Sequence, residues 1–147
     1  MTSNNGNSAG VGTGSIHLKQ WASLLGASGV GLGAMGAHAL KKTFDKKPGS
    51  VEHWKTAVAY QLFHAVAIIG IGALHENQLS TSSNKIRQSS PLCTYQLAGQ
   101  IMAMGSLFFS GSIYLLVLDI GPKKLLGPVT PIGGLLLIAG WTVLGCV

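Results

Sequence analysis

The sequence LKQWASLLGASGVGLGAMGAHAL, residues 18–40, decides the fold. It has no charged side chain after Lys19, and a run of this length can cross the hydrocarbon core of a bilayer, which takes about 20 helical residues. Four of its glycines fall on one helix face: Gly26, Gly29, Gly33 and Gly36. Because small residues let helices approach closely in lipid, we predict that this face packs against other helices.

The overall composition favours a membrane protein over a soluble one. Of the 147 residues, 47% are hydrophobic and 10% are charged, whereas a soluble domain carries about 25% charged residues. The net charge of +6 is also compatible with nucleic-acid binding. However, the lysines cluster at the ends of apolar runs, which is the pattern of membrane flanks. We therefore expect the lipid bilayer as a partner and no nucleic acid.

Three further apolar runs follow the first, and they predict an all-α, integral membrane, antiparallel four-helix bundle. The predicted spans are approximately residues 18–40, 54–74, 95–118 and 131–147. Thr130 and Pro131 resemble the N-cap and the first position of the last helix.

The polar segments between and before these spans predict loops and a tail. Residues 75–90 form a Ser-rich stretch and are predicted to be a loop. Residues 1–16 are rich in Gly, Ser and Asn and cannot bury much apolar surface, so they predict a disordered tail. The membrane domain is then residues 17–147.

The basic residues are distributed unevenly about the predicted spans. Seven lie on the side of the first and third loops: Lys41, Lys42, Lys46, Lys47, Lys55, Lys123 and Lys124. Three lie on the other side: Lys19, Lys85 and Arg87. The positive-inside rule therefore predicts a multi-pass protein with both termini on the side opposite the basic loops.

Four sequence blocks, one in each predicted span, are specific enough to suggest a family. They are GAMGAHAL (33–40), WKTAVAYQLFHAV (54–66), GSLFFSGSIYLL (105–116) and TPIGGLLLIAGW (130–141). Through them the chain, from about Trp21 to its C-terminus, resembles the transmembrane protein 256 family. The resemblance implies a small four-helix integral membrane protein with no assigned reaction. It also implies an association with mitochondria, so the mitochondrial inner membrane is the expected location.

Polar side chains within the spans are predicted to lie in one layer, in the half of the bundle near the basic loops. The predicted polar layer consists of His38, Tyr60, Gln61, His64, Ser110, Ser112, Tyr114 and Thr130. One interpretation is that these groups hydrogen-bond to each other and to carbonyls and fix the helix packing, to which Gly133 and Gly134 also contribute. The other is that they hold a small solute or a proton, because ionisable residues inside a membrane are functional candidates.

The motifs of cofactor and metal chemistry are weak here. Residues 31–36 match G-x-G-x-x-G, but they lie inside a continuous apolar helix rather than between a strand and a helix. His38 and His64 differ in predicted depth by about 10 Å, too far for one metal or haem iron. We therefore expect no cofactor, no metal ligands and no catalytic residues.

Three hypotheses about function remain. The first is a non-enzymatic accessory, assembly or structural component of a membrane, present as a homo-oligomer or in a larger membrane complex. The alternative is a small solute or proton transporter, or a ligand-binding protein, that uses the polar layer. A haem or quinone redox module is the third.

Overall fold

The fold is that of the computed structural model of the chain, which describes residues 12–81 and 91–146. Over these ranges the regular secondary structure is all α-helix, with no strand. The helices are α1 (Gly12–His38), α2 (Lys41–Asp45), α3 (Ser50–Thr81), α4 (Pro91–Val117) and α5 (Lys123–Gly145). The helix α4 packs along both α3 and α5, and α1 packs mainly along α3. A helix satisfies its own backbone hydrogen bonds, which lipid cannot do.

Three helices are long and apolar enough to cross a membrane, judged by length and composition. These candidate spans are Ser50–Gln78, Thr94–Val117 and Lys123–Gly145. They correspond to three of the four predicted spans. The helix α1 has 27 residues but is not among them. Five glycines and two serines between residues 21 and 36 lower its mean hydropathy.

The predicted start of the last helix at Thr130 and Pro131 is wrong. Helix α5 begins at Lys123, and both Pro128 and Pro131 lie inside it. The Thr130 hydroxyl points back to the Leu126 carbonyl at 3.4 Å, as a threonine does in the interior of a helix, instead of capping a new one. A Thr-Pro pair is therefore ambiguous in an apolar run, where prolines are tolerated within spans.

Two predicted polar segments are partly helical. Helix α1 begins at Gly12, so residues 12–16 are helical rather than disordered; residues 1–11 lie outside the described part. Helix α3 continues to Thr81, so residues 75–81 are not loop, while residues 82–90 lie outside the described part. A tertiary contact accompanies this extension: Glu76 forms a 2.7 Å ion pair with Lys19 of α1.

Two apolar clusters form the core. The first joins α1, α3 and α4 and consists of Leu18, Ala22, Leu25, Ala65, Ile68, Ile71, Met102 and Ala103. The second consists of Phe44, Trp54, Ala57, Tyr114 and Val117. On α3, the residues of the two clusters lie on either side of Gln61 and His64, so the predicted polar layer falls between them. The short helix α2, which the sequence did not predict, contributes Phe44 to the second cluster.

Candidate functional site

Gln61 links three helices at the centre of the predicted polar layer. Its side chain is 5% exposed. The amide nitrogen donates to the Leu25 carbonyl and to the Ser28 hydroxyl of α1, each at 2.8 Å. The amide oxygen accepts the hydroxyl of Tyr114 of α4 at 3.0 Å. The polar atoms of Gln61 are therefore engaged by the protein itself.

His64 is buried one turn further along α3, and both of its ring nitrogens have partners. Nδ1 lies 2.8 Å from the Tyr60 carbonyl, and Nε2 lies 3.2 Å from the indole nitrogen of Trp141. Because the indole N–H can only donate, Nε2 accepts and the proton resides on Nδ1. This pattern fits a neutral imidazole and leaves no free lone pair on the ring.

The hydroxyl groups of α4 and α5 also bond within the protein. Ser110 donates to the Ala57 carbonyl of α3 at 2.9 Å. The Ser112 hydroxyl lies 2.7 Å from that of Thr130 and 3.0 Å from the Phe109 carbonyl. These bonds connect α4 to α3 on one side and to α5 on the other.

Two predicted members do not join these bonds through their side chains. His38 is exposed in the last turn of α1 and has no hydrogen bond to the other layer residues. Tyr60 is 47% exposed; its carbonyl accepts from His64, and its ring packs 4.9 Å from that of Phe109, measured between centroids. The residues of the predicted layer therefore form separate groups of hydrogen bonds, around Gln61, His64, Ser110 and Ser112, instead of one connected network.

Three residues make hydrogen bonds that were not predicted from the sequence: Ser28, Trp54 and Trp141. Ser28 accepts from Gln61, and the buried Trp54 donates its indole N–H to the Leu32 carbonyl at 2.9 Å. Trp141 donates to His64. A tryptophan near the end of a span usually indicates an interfacial anchor, so nothing in the sequence pointed to these bonds.

Three of the six predicted packing glycines, Gly29, Gly36 and Gly133, lie at close helix contacts. A Cβ on Gly29 would fall 2.8 Å from Leu62, and one on Gly36 would overlap the indole of Trp54. On α5, a Cβ on Gly133 would overlap the backbone of Phe109, whereas a Cβ on Gly134 would make ordinary contact with the Phe109 ring at 3.8 Å. Gly26 and Gly33 allow ordinary contacts with Ala65 and Val58.

An open groove runs beside His64, between α3, α4 and α5. Its volume is about 670 Å³, and we call it the aromatic groove because of the rings that line it: Tyr60, Phe63, Phe109 and Trp141, with the imidazole of His64. Among the described residues, no three His, Cys, Asp or Glu side chains come close enough together to hold a metal ion. The groove suits an apolar occupant rather than an ion.

A charged cluster ties the first and third loops together. Asp119 forms ion pairs with Lys47 and, at 2.7 Å, with Lys123. The hydrogen bond from Lys123, followed by that from Lys47, holds the pKa of Asp119 below its usual value. Lys47 also donates to the Val117 carbonyl at 3.1 Å and so satisfies a terminal acceptor of α4. Asp119 itself has a left-handed backbone, with φ of 57°.

Comparison with known proteins finds close relatives but no solved structure that matches the chain. Residues 32–134 match a family described as proteins of unknown function, DUF423. A UPF0382 membrane protein of Staphylococcus haemolyticus is 42% identical over 115 residues, which are 78% of this chain and 80% of that protein. One of Schizosaccharomyces pombe is 36% identical over 126 residues, 84% of this chain and 93% of its own. The UPF0382 inner membrane protein of Escherichia coli K12 is 34% identical over 126 residues, 84% and 82% of the two chains.

Proposed function

The chain belongs to the DUF423 family of proteins of unknown function, and from this premise we propose that it is a non-catalytic accessory or assembly component of a membrane complex. Its relatives are named membrane proteins, and three of its helices are long and apolar enough to span a bilayer. The accessory role and the absence of catalysis are the parts that we add.

We propose four antiparallel spans, with α1 as the fourth. Its 27 residues would extend for about 40 Å, enough to cross a bilayer. Gly26 approaches Ala65 and Gly36 approaches Trp54, so contacts along α1 run in the opposite order to those along α3. On α4 and α5, Gly105 approaches Leu137 while Gly140 approaches Met102. We further propose that the transmembrane protein 256 family, which the four sequence blocks resemble, and DUF423, which matches residues 32–134, are the same family.

We also propose that the chain lies in the mitochondrial inner membrane. Both of its termini would then lie on the side of that membrane opposite the basic loops. The lysine distribution supports this orientation through the positive-inside rule. A single cysteine placed at Lys46 or at Gln20, in a chain whose own cysteines are replaced by serine, tests it in sealed vesicles. When the vesicles expose the side opposite the basic loops, a membrane-impermeant maleimide should label the cysteine at position 20 and leave the one at position 46 unlabelled. Labelling of both positions, or of position 46 alone, would refute the orientation.

One observation carries the accessory role: the buried polar groups of the predicted layer are used for helix contacts. Gln61 makes three hydrogen bonds, and both ring nitrogens of His64 are occupied. Catalysis or proton transfer requires groups that can reach a substrate, whereas these groups hold α1, α3, α4 and α5 in register.

We expect α5 to carry the contact with the partner. Only 17% of its span is buried within the protein, against 39% and 44% for those of α3 and α4. Leu135 and Ile138 on its outer face are 65% and 64% exposed. Because these side chains are exposed, Leu135 can be replaced by a larger residue without disturbing the chain's own core.

The test is purification of the tagged full-length chain from its native membrane in mild detergent, with native gels and quantitative mass spectrometry. The chain alone is 15.2 kDa, so a stable assembly should migrate well above that mass and contain a partner protein in constant ratio. Leu135→Trp should release the partner. Val66→Trp, on the outer face of α3 and 69% exposed, is the matched control and should retain it. A chain that migrates alone in both forms would refute the accessory role.

A ligand-binding or transport role is the second candidate, and the aromatic groove favours it. The imidazole of His64 lines this groove, so an apolar solute there would meet one polar edge. Flux of protons or solute into proteoliposomes that disappears with His64→Ala, but not with His38→Ala, would establish transport and refute the accessory role. A haem absorption band in the purified protein would instead support the redox module.

A further inference from the structure

A second groove lies between α1 and α3, and its lining meets that of the aromatic groove at Ala59. Its volume is about 650 Å³. Gly33 and Ala37 of α1 form one wall, and Val58 and Leu62 of α3 form the other. The wall on α1 is low because glycine and alanine have no side chain long enough to fill the space. We call it the lysine groove, because Lys41 and Lys55 line its mouth.

Two lysines line the mouth of the lysine groove, within a basic segment of the chain. Residues 41–55 contain five lysines and two carboxylates. Lys41 has no ion pair with any described residue, and it is exposed. Lys55 pairs with Glu52 at 3.1 Å, but both side chains are more than two-thirds exposed, and such surface pairs contribute little. An anionic group at the mouth can therefore displace Glu52 from Lys55.

The groove is short enough to lie within one leaflet of a bilayer. From Lys55 to Leu62 the helix rises about 10 Å, and half of the hydrocarbon core is about 15 Å thick. With the lysines at the headgroups, the apolar walls would lie beside acyl chains. Trp54 closes the inner side with its ring and offers no donor, because its N–H is bonded to the Leu32 carbonyl.

We propose that the lysine groove binds one anionic phospholipid, with an acyl chain against Gly33 and Ala37 and the phosphate between Lys41 and Lys55. Basic pockets between transmembrane helices take anionic headgroups in this way, and small-molecule sites have volumes of about 300–1,000 Å³. A partner helix in the groove would instead bury the ammonium group of Lys41 without a counter-charge, which is costly. The inference rests on the proposed placement of α1 in the membrane, but not on an accessory role.

The test is native mass spectrometry of the detergent-solubilised full chain with palmitoyl-oleoyl phosphatidylglycerol, compared with phosphatidylcholine that has the same chains. Phosphatidylglycerol should be retained preferentially. The double variant Lys41→Gln/Lys55→Gln should weaken its binding about thirtyfold, since each lysine near an anionic surface contributes about fivefold. The matched control Lys42→Gln/Lys46→Gln removes the same charge outside the groove and should cost less than about fivefold. Equal losses for the two pairs, or equal retention of the two lipids, would overturn the proposal.

A second pair of variants tests the acyl-chain part without changing any charge. Ala37→Leu fills the groove and should reduce retention of phosphatidylglycerol, whereas Ala27→Leu, on an exposed part of α1 outside the groove, should not. Undiminished binding to the Ala37→Leu variant would overturn the proposal. So would crosslinking between two Ala37→Cys chains in lipid-free micelles, which would place a second copy in the groove.

Failure of the lipid site can be told apart from failure of the membrane placement. In liposomes, a cysteine at position 37 that reacts with a water-soluble maleimide would show that α1 lies outside the bilayer. Protection of that cysteine, combined with no preference for phosphatidylglycerol, would refute the lipid site alone.

Discussion

The indole N–H of Trp141 on α5 donates to Nε2 of His64 on α3 across 3.2 Å. The same imidazole is held at Nδ1 by the Tyr60 carbonyl of its own helix. Trp141 thus determines which tautomer His64 adopts, and it does so from a helix separated by 77 positions in the chain. This bond is a direct polar link between α3 and α5.

Replacement of Trp141 by Phe should destabilise the protein by about 1 kcal/mol. The change removes the donor and leaves Nε2 of a buried imidazole unsatisfied, and single hydrogen bonds between helices in lipid contribute about 0.6–2 kcal/mol. The measurement is the free energy of unfolding in mixed micelles titrated with a denaturing detergent.

Trp21→Phe provides the control for this change. Trp21 is partly buried against the first apolar cluster, and its indole has no hydrogen bond with any described residue. The two variants lose similar ring area, so their difference isolates the hydrogen bond. Equal destabilisation by both would contradict the role assigned to Trp141.

Gln61 and Tyr114 should be energetically coupled. Tyr114→Phe removes one bond and should cost about 1 kcal/mol, whereas Gln61→Leu removes three and should cost about 2 kcal/mol. The double variant should lose about 1 kcal/mol less than the sum, because the shared bond is counted once. Tyr95→Phe is the control, since the Tyr95 hydroxyl has no hydrogen bond with any described residue. Strict additivity would show that the Gln61–Tyr114 contact contributes nothing.

The fold was largely accessible from the sequence because apolar run length is a strong signal. Each of the four runs falls largely on one helix, α1, α3, α4 or α5. The helix ends were less accessible, because tertiary contacts move them. The ion pair between Lys19 and Glu76 accompanies the extension of α3 into a stretch that reads as loop, and Thr130 and Pro131 lie inside a helix that they were predicted to begin.

The candidate site was predictable in composition but not in connectivity. Tyr60, Gln61 and His64 lie within about one turn of α3, yet Gln61 and His64 are buried while Tyr60 is half exposed. Which partner each group meets depends on the rotation of α1 and α5, and hydropathy does not report rotation. His38 illustrates the limit: a histidine at the end of an apolar run looks the same in sequence whether it faces the protein or the surface.

Gly133 should tolerate no side chain, in contrast with Gly111. A Cβ at Gly133 would lie 2.8 Å from the Cα of Phe109 and closer still to its amide nitrogen, and neither backbone atom can move aside. Gly133→Ala should therefore cost about 2 kcal/mol through forced separation of α4 and α5. A Cβ at Gly111, in the interior of α4, meets nothing within 4 Å. Gly111→Ala should be neutral or stabilising by up to about 1 kcal/mol, because alanine favours helix. The free energy of unfolding in mixed micelles is measured for both variants. Similar losses of stability would contradict the close approach of α4 and α5 at Gly133.

The Asp119 cluster should make stability depend on pH on the acidic side. The hydrogen bonds from Lys123 and Lys47 lower the pKa of Asp119 in the folded protein, so the unfolded chain binds its proton more readily than the folded one does. The contribution is complete above the ordinary aspartate pKa of about 3.9 and is lost as the pH falls through the lower folded value. Melting temperatures measured from pH 7 downward should therefore decline below about pH 4 through this group.

Asp119→Asn should remove this part of the pH dependence without straining the chain. Asparagine tolerates the left-handed backbone that Asp119 adopts at φ of 57°, so the variant separates the charge from the turn. Asp45→Asn is the control, because Asp45 is exposed on α2 and forms no ion pair with any described residue. This variant should keep the decline in melting temperature below about pH 4, which we call the acid step. Since the lysines and Asp119 are solvent-accessible, 1 M salt should shrink the step in the unmodified protein, because screening acts over about 3 Å at that ionic strength. An acid step of the same size in the Asp119→Asn variant would assign it to another carboxyl group and refute the role of this cluster.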